Sequence, residues 1–206
     1  MDHLIAEAHK RVTAEGLTLD TLFAASDEVV IFGSRAAGCA ASDSDIDILV
    51  FGEGLRLKSE RLDLVCIPAR LAGSPEWLDS ELAGHVAAHG VWIHGQRRWT
   101  PRLGSASSVA RKRSLIAAEY GATMRRWQAL APWARAKHLT SVLRNLQRLA
   151  ILDRGGAVPP TPVLEAAVEA SPDYNILLLS VAARMNAAGF CGAPIIATDD
   201  RSAAHA

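Results

Sequence analysis

Apolar positions along the chain change their period near residue 103. Before it, short apolar runs alternate with helically spaced ones; after it, only the helical spacing continues. Leu4, Ile5, Ala8 and Val12 recur at helical intervals and predict a helix over 2–15, broken by Gly16, with a second short helix over 19–25. Glu28–Phe32, Ile46–Phe51 and Arg61–Ile67 predict three buried strands, stopped by Gly33-Ser34, by Gly52 with Gly54, and by Pro68. A short helix begins over Arg35–Gly38. Ser74 as N-cap and Pro75 at the first helical position predict one helix running to about His89, where Gly90 ends it. Val91–His94 reads as a fourth strand. Beyond Pro101 the pattern predicts helices over about 106–128, 132–153, 162–170 and 173–188, the last two opened by Thr161-Pro162 and Ser171-Pro172. Gly155–Pro160 is too short for a domain linker and reads as an inter-helix turn. The expected architecture is α/β (α+β): a small mixed sheet flanked by helices over 1–103, then a helical bundle domain over 104–206 with a frayed end past 198.

Composition adds little to this picture, and charge adds more. Half of the residues are apolar and 21% are charged, as in a soluble globular protein. No run approaches the roughly 18 apolar residues that span a bilayer. The N-terminal segment mixes acids into its apolar pattern, unlike a signal peptide or anchor. Cys39, Cys66 and Cys191 are widely spaced and odd in number, which suggests neither a disulfide framework nor a zinc motif. A cytoplasmic protein with no membrane partner is expected. Net charge is zero, yet residues 1–95 hold 15 acidic and 7 basic side chains and residues 96–206 the reverse. Within 97–154, 13 Lys or Arg face only Glu119 and Asp153. Such asymmetry marks an anionic partner, or two halves that complement one another across a phosphate-holding cleft.

The candidate chemistry lies in residues 33–63. Gly33-Ser34 closes one strand, and after a ten-residue spacer Asp45 and Asp47 open the next. Strands disfavour Asp, and side chains at i and i+2 share a face. Asp63 lies inside the following strand between Leu62 and Leu64, and pairing of the two strands would bring it beside the first two acids. Three carboxylates about 5 Å apart repel by roughly 3 kcal/mol per pair at an effective dielectric near 20. A cation must offset that, or the acids must protonate. Hard divalent ions suit the all-oxygen donor set, with Mg²⁺ shared between carboxylates and phosphates the usual case. Two such ions would clamp an in-line displacement. Gly33 and Ser34 offer backbone amides and a hydroxyl to a phosphate. Arg35 either contacts that phosphate or pairs with Asp43. A solvent-facing edge strand would also carry alternating acids, but the Gly-Ser turn and Asp63 weigh against it.

Gly33-Ser34, the spacer, Asp45-Ile46-Asp47-Ile48 and Asp63 resemble the signature of the DNA polymerase beta-like nucleotidyltransferase superfamily, closely over 28–68 and loosely to 95. The resemblance implies a nucleotidyltransferase sheet and transfer of a nucleoside monophosphate from an NTP such as ATP, with release of pyrophosphate. It implies that Asp45 and Asp47 bind two Mg²⁺ ions, for which Mn²⁺ could substitute. Asp63 would bind the catalytic ion and help deprotonate the acceptor hydroxyl, and Gly33 and Ser34 would hold the β- and γ-phosphates. It leaves the acceptor open among a small molecule, an RNA 3′ end and a protein, and a homodimer open as well. A non-catalytic nucleotide- or partner-binding protein that keeps the fold is the competing expectation, against which the three intact acids argue.

The remaining candidates are weaker. His85 and His89 have ligand spacing but no third ligand, so a packed or solvated helix face is expected. His94 is expected at a core or rim position, Cys39 as a small filler, and most of the five tryptophans in the core. Arg144 and Arg148 share a predicted helix face that could simply be solvated, but the few acids available to balance it favour a phosphate- or acceptor-binding role.

Overall fold

A computed structural model of the chain describes residues 2–53, 56–166 and 174–190. The chain divides into two compact units, Met1–Val109 with Ile151–Ala166, and Ala110–Ala150 with Ala167–Ala206.

The first unit is built on a five-stranded mixed sheet. Helices α1 (Asp2–Ala14) and α2 (Leu19–Ala24) lead into β1 (Ser26–Phe32), a single-turn α3 (Gly33–Ala36) and β2 (Ile46–Gly52). A two-residue β3 (Leu57–Lys58), absent from the expected elements, precedes β4 (Leu62–Ile67). Sheet order is β3-β4-β2-β1-β5, with β5 spanning Val91–His94. After β2 the chain passes over one strand position and descends as β3 at the edge. It then turns back through Ser59–Leu62, closed by the Ser59 amide donating to the Leu62 carbonyl at 2.8 Å. That hairpin lays β4 beside β2 in parallel, without a crossover helix.

Both faces of the sheet are covered, which is why its central strands read as unbroken apolar runs. Ile46, Ile48 and Val50 point with Leu62 and Leu64 toward Ala8, Val12 and Leu19 of α1 and α2. Leu49 and Phe51 point the other way, packing with Val30 and Phe32 against Trp77, Ala83, Val86 and Trp99. By period two, Asp45, Asp47 and Asp63 belong to this second face.

The single helix expected over 75–89 is two, α4 (Pro75–Leu78) and α5 (Glu81–His89). Ser74 caps the first through the Trp77 amide, and Ser80 caps the second through the Ala83 amide at 2.9 Å. Asp79, at the junction, is held by Arg102 at 2.8 Å and by the Ser107 hydroxyl at 2.7 Å. The Ser107 hydrogen bond foremost, then the Arg102 charge, keeps the Asp79 carboxyl below its usual value.

Helices α6 (Ala106–Arg125) and α7 (Pro132–Asp153) follow the expected spans closely. Residues 151–166 then return to the first unit. Leu152, Val158 and Leu164 form a small core there, and α8 (Thr161–Ala166) packs against α3. The rest of the expected 162–170 helix and the Ser171-Pro172 start lie outside the described residues, as does Cys191. Helix α9 (Tyr174–Ala187) completes the second unit, whose interior holds Ile116, Tyr120, Leu139, Leu143, Val181 and Met185. Trp77, Trp99 and Trp127 are core and Trp92 is half-buried, whereas Trp133 is 71% exposed. No helix among the described residues is long and apolar enough to cross a membrane.

Leu49 has no exposed surface and supports the face that carries the acids. Leu49→Ala is expected to lower unfolding free energy by about 2–5 kcal/mol. Urea denaturation reads this, and a loss well under 1 kcal/mol would contradict the packing described.

Candidate active site

The site begins where β1 ends. Phe32 is paired across the sheet with Asp47, so the chain turns at Gly33 directly against that acid. Gly33 adopts φ +75°, a left-handed conformation that side chains disfavour. A Cβ at this position would also overlap Asp47 Oδ2. Glycine is therefore required twice, once by the backbone and once by the carboxylate. Its turn opens α3, whose first amides have no carbonyl within the helix to bond.

The parallel register of β2 and β4 sets Asp47 opposite Asp63, and Asp45 lies two residues before Asp47. The three sequence-predicted acids thus meet at one end of one sheet face. Burial pushes the Asp47 carboxyl up to about 7, aided by the negative charges of Asp45 and Asp63, while Lys58 pulls it the other way. Asp63 Oδ1 is buried, and no hydrogen-bond donor among the described residues reaches it. Its other oxygen, Oδ2, receives the Lys58 ammonium at 2.6 Å. The bond and the charge of Asp63 raise the Lys58 ammonium above its usual value.

An uncompensated acid, an orphaned buried oxygen and an all-carboxylate donor set suit a hard divalent cation. Among the described residues, no three His, Cys, Asp or Glu side chains are placed as they stand to hold a metal ion. At this cluster the ammonium of Lys58 occupies one of the oxygens such an ion would use.

Arg35 does not pair with Asp43. Its guanidinium donates to the carbonyls of Ser44, at 2.6 Å from Nη2 and 3.1 Å from Nε, and of Asp45 at 3.1 Å. Glu7 lies 4.0 Å from the same group. Arg35 therefore clamps the loop that delivers Asp45 into β2. Cys39 packs its thiol against the Ser34 carbonyl at 3.6 Å, as a filler would.

The histidines fall outside the cluster. His85 Nδ1 lies 2.8 Å from the Val158 carbonyl, its ring edge-on to Phe32, and His89 sits against it. His94 pairs with Val29, midway along β1, and stacks on Phe23. Arg144 and Arg148 lie half-buried on α7 in the second unit. Two features of the acid site escaped the sequence reading. One is Lys58, five residues before Asp63 across a hairpin too short to show a period. The other is the return of Val158 and α8 to the wall beside α3 and α5.

The Asp47 shift has a pH signature. The folded state holds this proton more tightly than the unfolded chain, whose carboxyl titrates near its ordinary 3.8. Stability of the metal-free protein should fall as pH rises from about 4 through 7. Asp47→Asn cannot ionise, so it should melt above the wild type at pH 8, with the gap closing near pH 4. Thermal melts in chelator measure this; a gap independent of pH would contradict the burial and crowding of Asp47.

A family model described as a nucleotidyltransferase domain matches residues 18–77, a span that contains β1, the Gly33-Ser34 turn, all three acids and β4. No curated protein matches the chain in sequence. The segment from 18 to 77 is a nucleotidyltransferase domain of the DNA polymerase beta-like superfamily.

Proposed function

We propose that the protein is a Mg²⁺-dependent nucleotidyltransferase that moves a nucleoside monophosphate from an NTP to an acceptor hydroxyl and releases pyrophosphate. The observation that carries this reading is the register that sets Asp47 against Asp63, with Asp45 alongside, next to the Gly33 turn. Asp45, Asp47 and Asp63 would hold two divalent ions, which when bound neutralise phosphate charge and activate the attacking oxygen. The amides opening α3 and the Ser34 hydroxyl would hold the β- and γ-phosphates. The orphaned Asp63 Oδ1 would accept a proton from the acceptor hydroxyl. With its donors on the 44–45 carbonyls, Arg35 is assigned to positioning Asp45, in place of either alternative the sequence offered, a phosphate contact or a pairing with Asp43.

The acceptor is a small molecule, an RNA 3′ end or a protein hydroxyl, and the setting is the cytoplasm. The 13 basic residues of 97–154, Arg144 and Arg148 among them, support an anionic acceptor such as RNA. One observation favours a second reading, a non-catalytic nucleotide- or partner-binding protein of the antitoxin type. The Lys58–Asp63 pair already satisfies part of the acid charge without a metal.

Turnover separates the two. Labelled pyrophosphate should appear from at least one NTP with Mg²⁺ or Mn²⁺ when cell extract supplies the acceptor. Asp45→Ala should lower that release by about a hundredfold or more, yet leave the metal-free protein at least as stable, because a repulsive charge is gone. Unfolding of Asp45→Ala would make the acid structural, and no metal-dependent release with any NTP would favour the non-catalytic reading.

A further inference from the structure

Lys58 and Asp63 form an unequal pair. Asp63 is fixed on β4 with 15% of its side chain exposed, whereas Lys58 reaches in from the edge strand with 66% exposed. Its backbone is tethered: β3 pairs Lys58 with Asp63 and Leu57 with Leu64, and the Ser59–Leu62 turn closes the hairpin. The ammonium is thus held at high local concentration beside one carboxylate, while its stem is free to swing into solvent. An exposed ion pair of this kind contributes little to folding. Its position gives it a different use.

An ammonium 2.6 Å from Asp63 Oδ2 and a divalent ion on the same oxygen compete for the same lone pairs and repel each other. With three ionised acids, Lys58 leaves a residual charge that one divalent ion on the Asp45–Asp47 side can neutralise. A second ion beside Asp63 becomes favourable only when the ammonium departs, and an arriving triphosphate is the polyanion able to draw it off.

We propose that Lys58 is a tethered competitor for the divalent cation at Asp63, keeping that half of the site closed to metal until a nucleotide binds. This rests on the metal-dependent reading of the acids. Lys58 is a positioning residue here and takes no part in bond making.

Mn²⁺ titration of the metal-free full chain, followed by the EPR signal of free Mn²⁺, tests it. Without nucleotide, Lys58→Met should bind Mn²⁺ about tenfold more tightly than the wild type, through loss of one adjacent positive charge. Lys58→Arg should remain close to the wild type. With α,β-methylene ATP present, the gap between Lys58→Met and wild type should narrow. Thermal melts in chelator should match, and Lys58→Gln replaces the Met variant if that one loses its cooperative transition. Wild-type Mn²⁺ binding that Lys58→Met leaves unchanged or weakens overturns the competitor role alone. So does a Lys58→Arg variant that behaves like Lys58→Met, or a gap that nucleotide does not narrow. Absence of Mn²⁺ binding in all variants overturns the metal reading, and the competitor role with it.

Discussion

The parallel register between β2 and β4 is the constraint on which the site depends. It pairs Ile46 with Leu62, Asp47 with Asp63 and Ile48 with Leu64. Adjacent strands lie about 4.8 Å apart, so the two acids stand abreast, and like charges so placed are destabilising. The other face holds them there. Ile46, Ile48 and Leu62 have no exposed surface and Leu64 almost none. A slip of one residue would drive Asp63 into that core and turn the leucines outward. Apolar burial on one side thus enforces electrostatic tension on the other.

The surroundings of the acids answer to that tension. Gly33 lets the turn lie against Asp47 where any Cβ would displace it. Arg35 spends its guanidinium on the carbonyls before β2, a rigid fork suited to holding a loop. Lys58 brings in a mobile charge from the edge. Asp47 meets the remaining strain by holding its proton up to about pH 7. Lys58 and the retained proton lower the cost of the crowded carboxylates, Gly33 and Arg35 fix where they stand, and none of the four removes the crowding.

Much of this was legible in the sequence because it is local and periodic. The runs at 28–32, 46–51 and 61–67 have strand length with sharp stops, and all three form strands within a residue or two of those bounds. Convergence of Asp63 on Asp45 and Asp47 followed from the unlikeliness of an acid within a buried run. The rest was hidden for physical reasons. β3 is two residues long, below any period, so Lys58 carried no signal. The break at Asp79-Ser80 depends on Arg102 and Ser107, more than twenty residues away. Arg35 bonds to backbone carbonyls, which no residue pattern encodes. The exposed Trp133 shows that composition alone does not place an aromatic side chain.

The return of residues 151–166 to the first unit carries a consequence for how the protein is made. α3, opened by the Gly33 turn, rests against α8, and His85 of α5 meets the Val158 carbonyl. Gly104, at φ +67°, fits closely against the Leu152 carbonyl and Gly155, pinning the returning strand of chain where the first pass ends. On a ribosome, the sheet and its acids emerge well before these partners do. The half that carries the acids is therefore finished only after the helices between residues 110 and 150 have been synthesised, so the wall beside its Gly33 turn is the last part of that half to close.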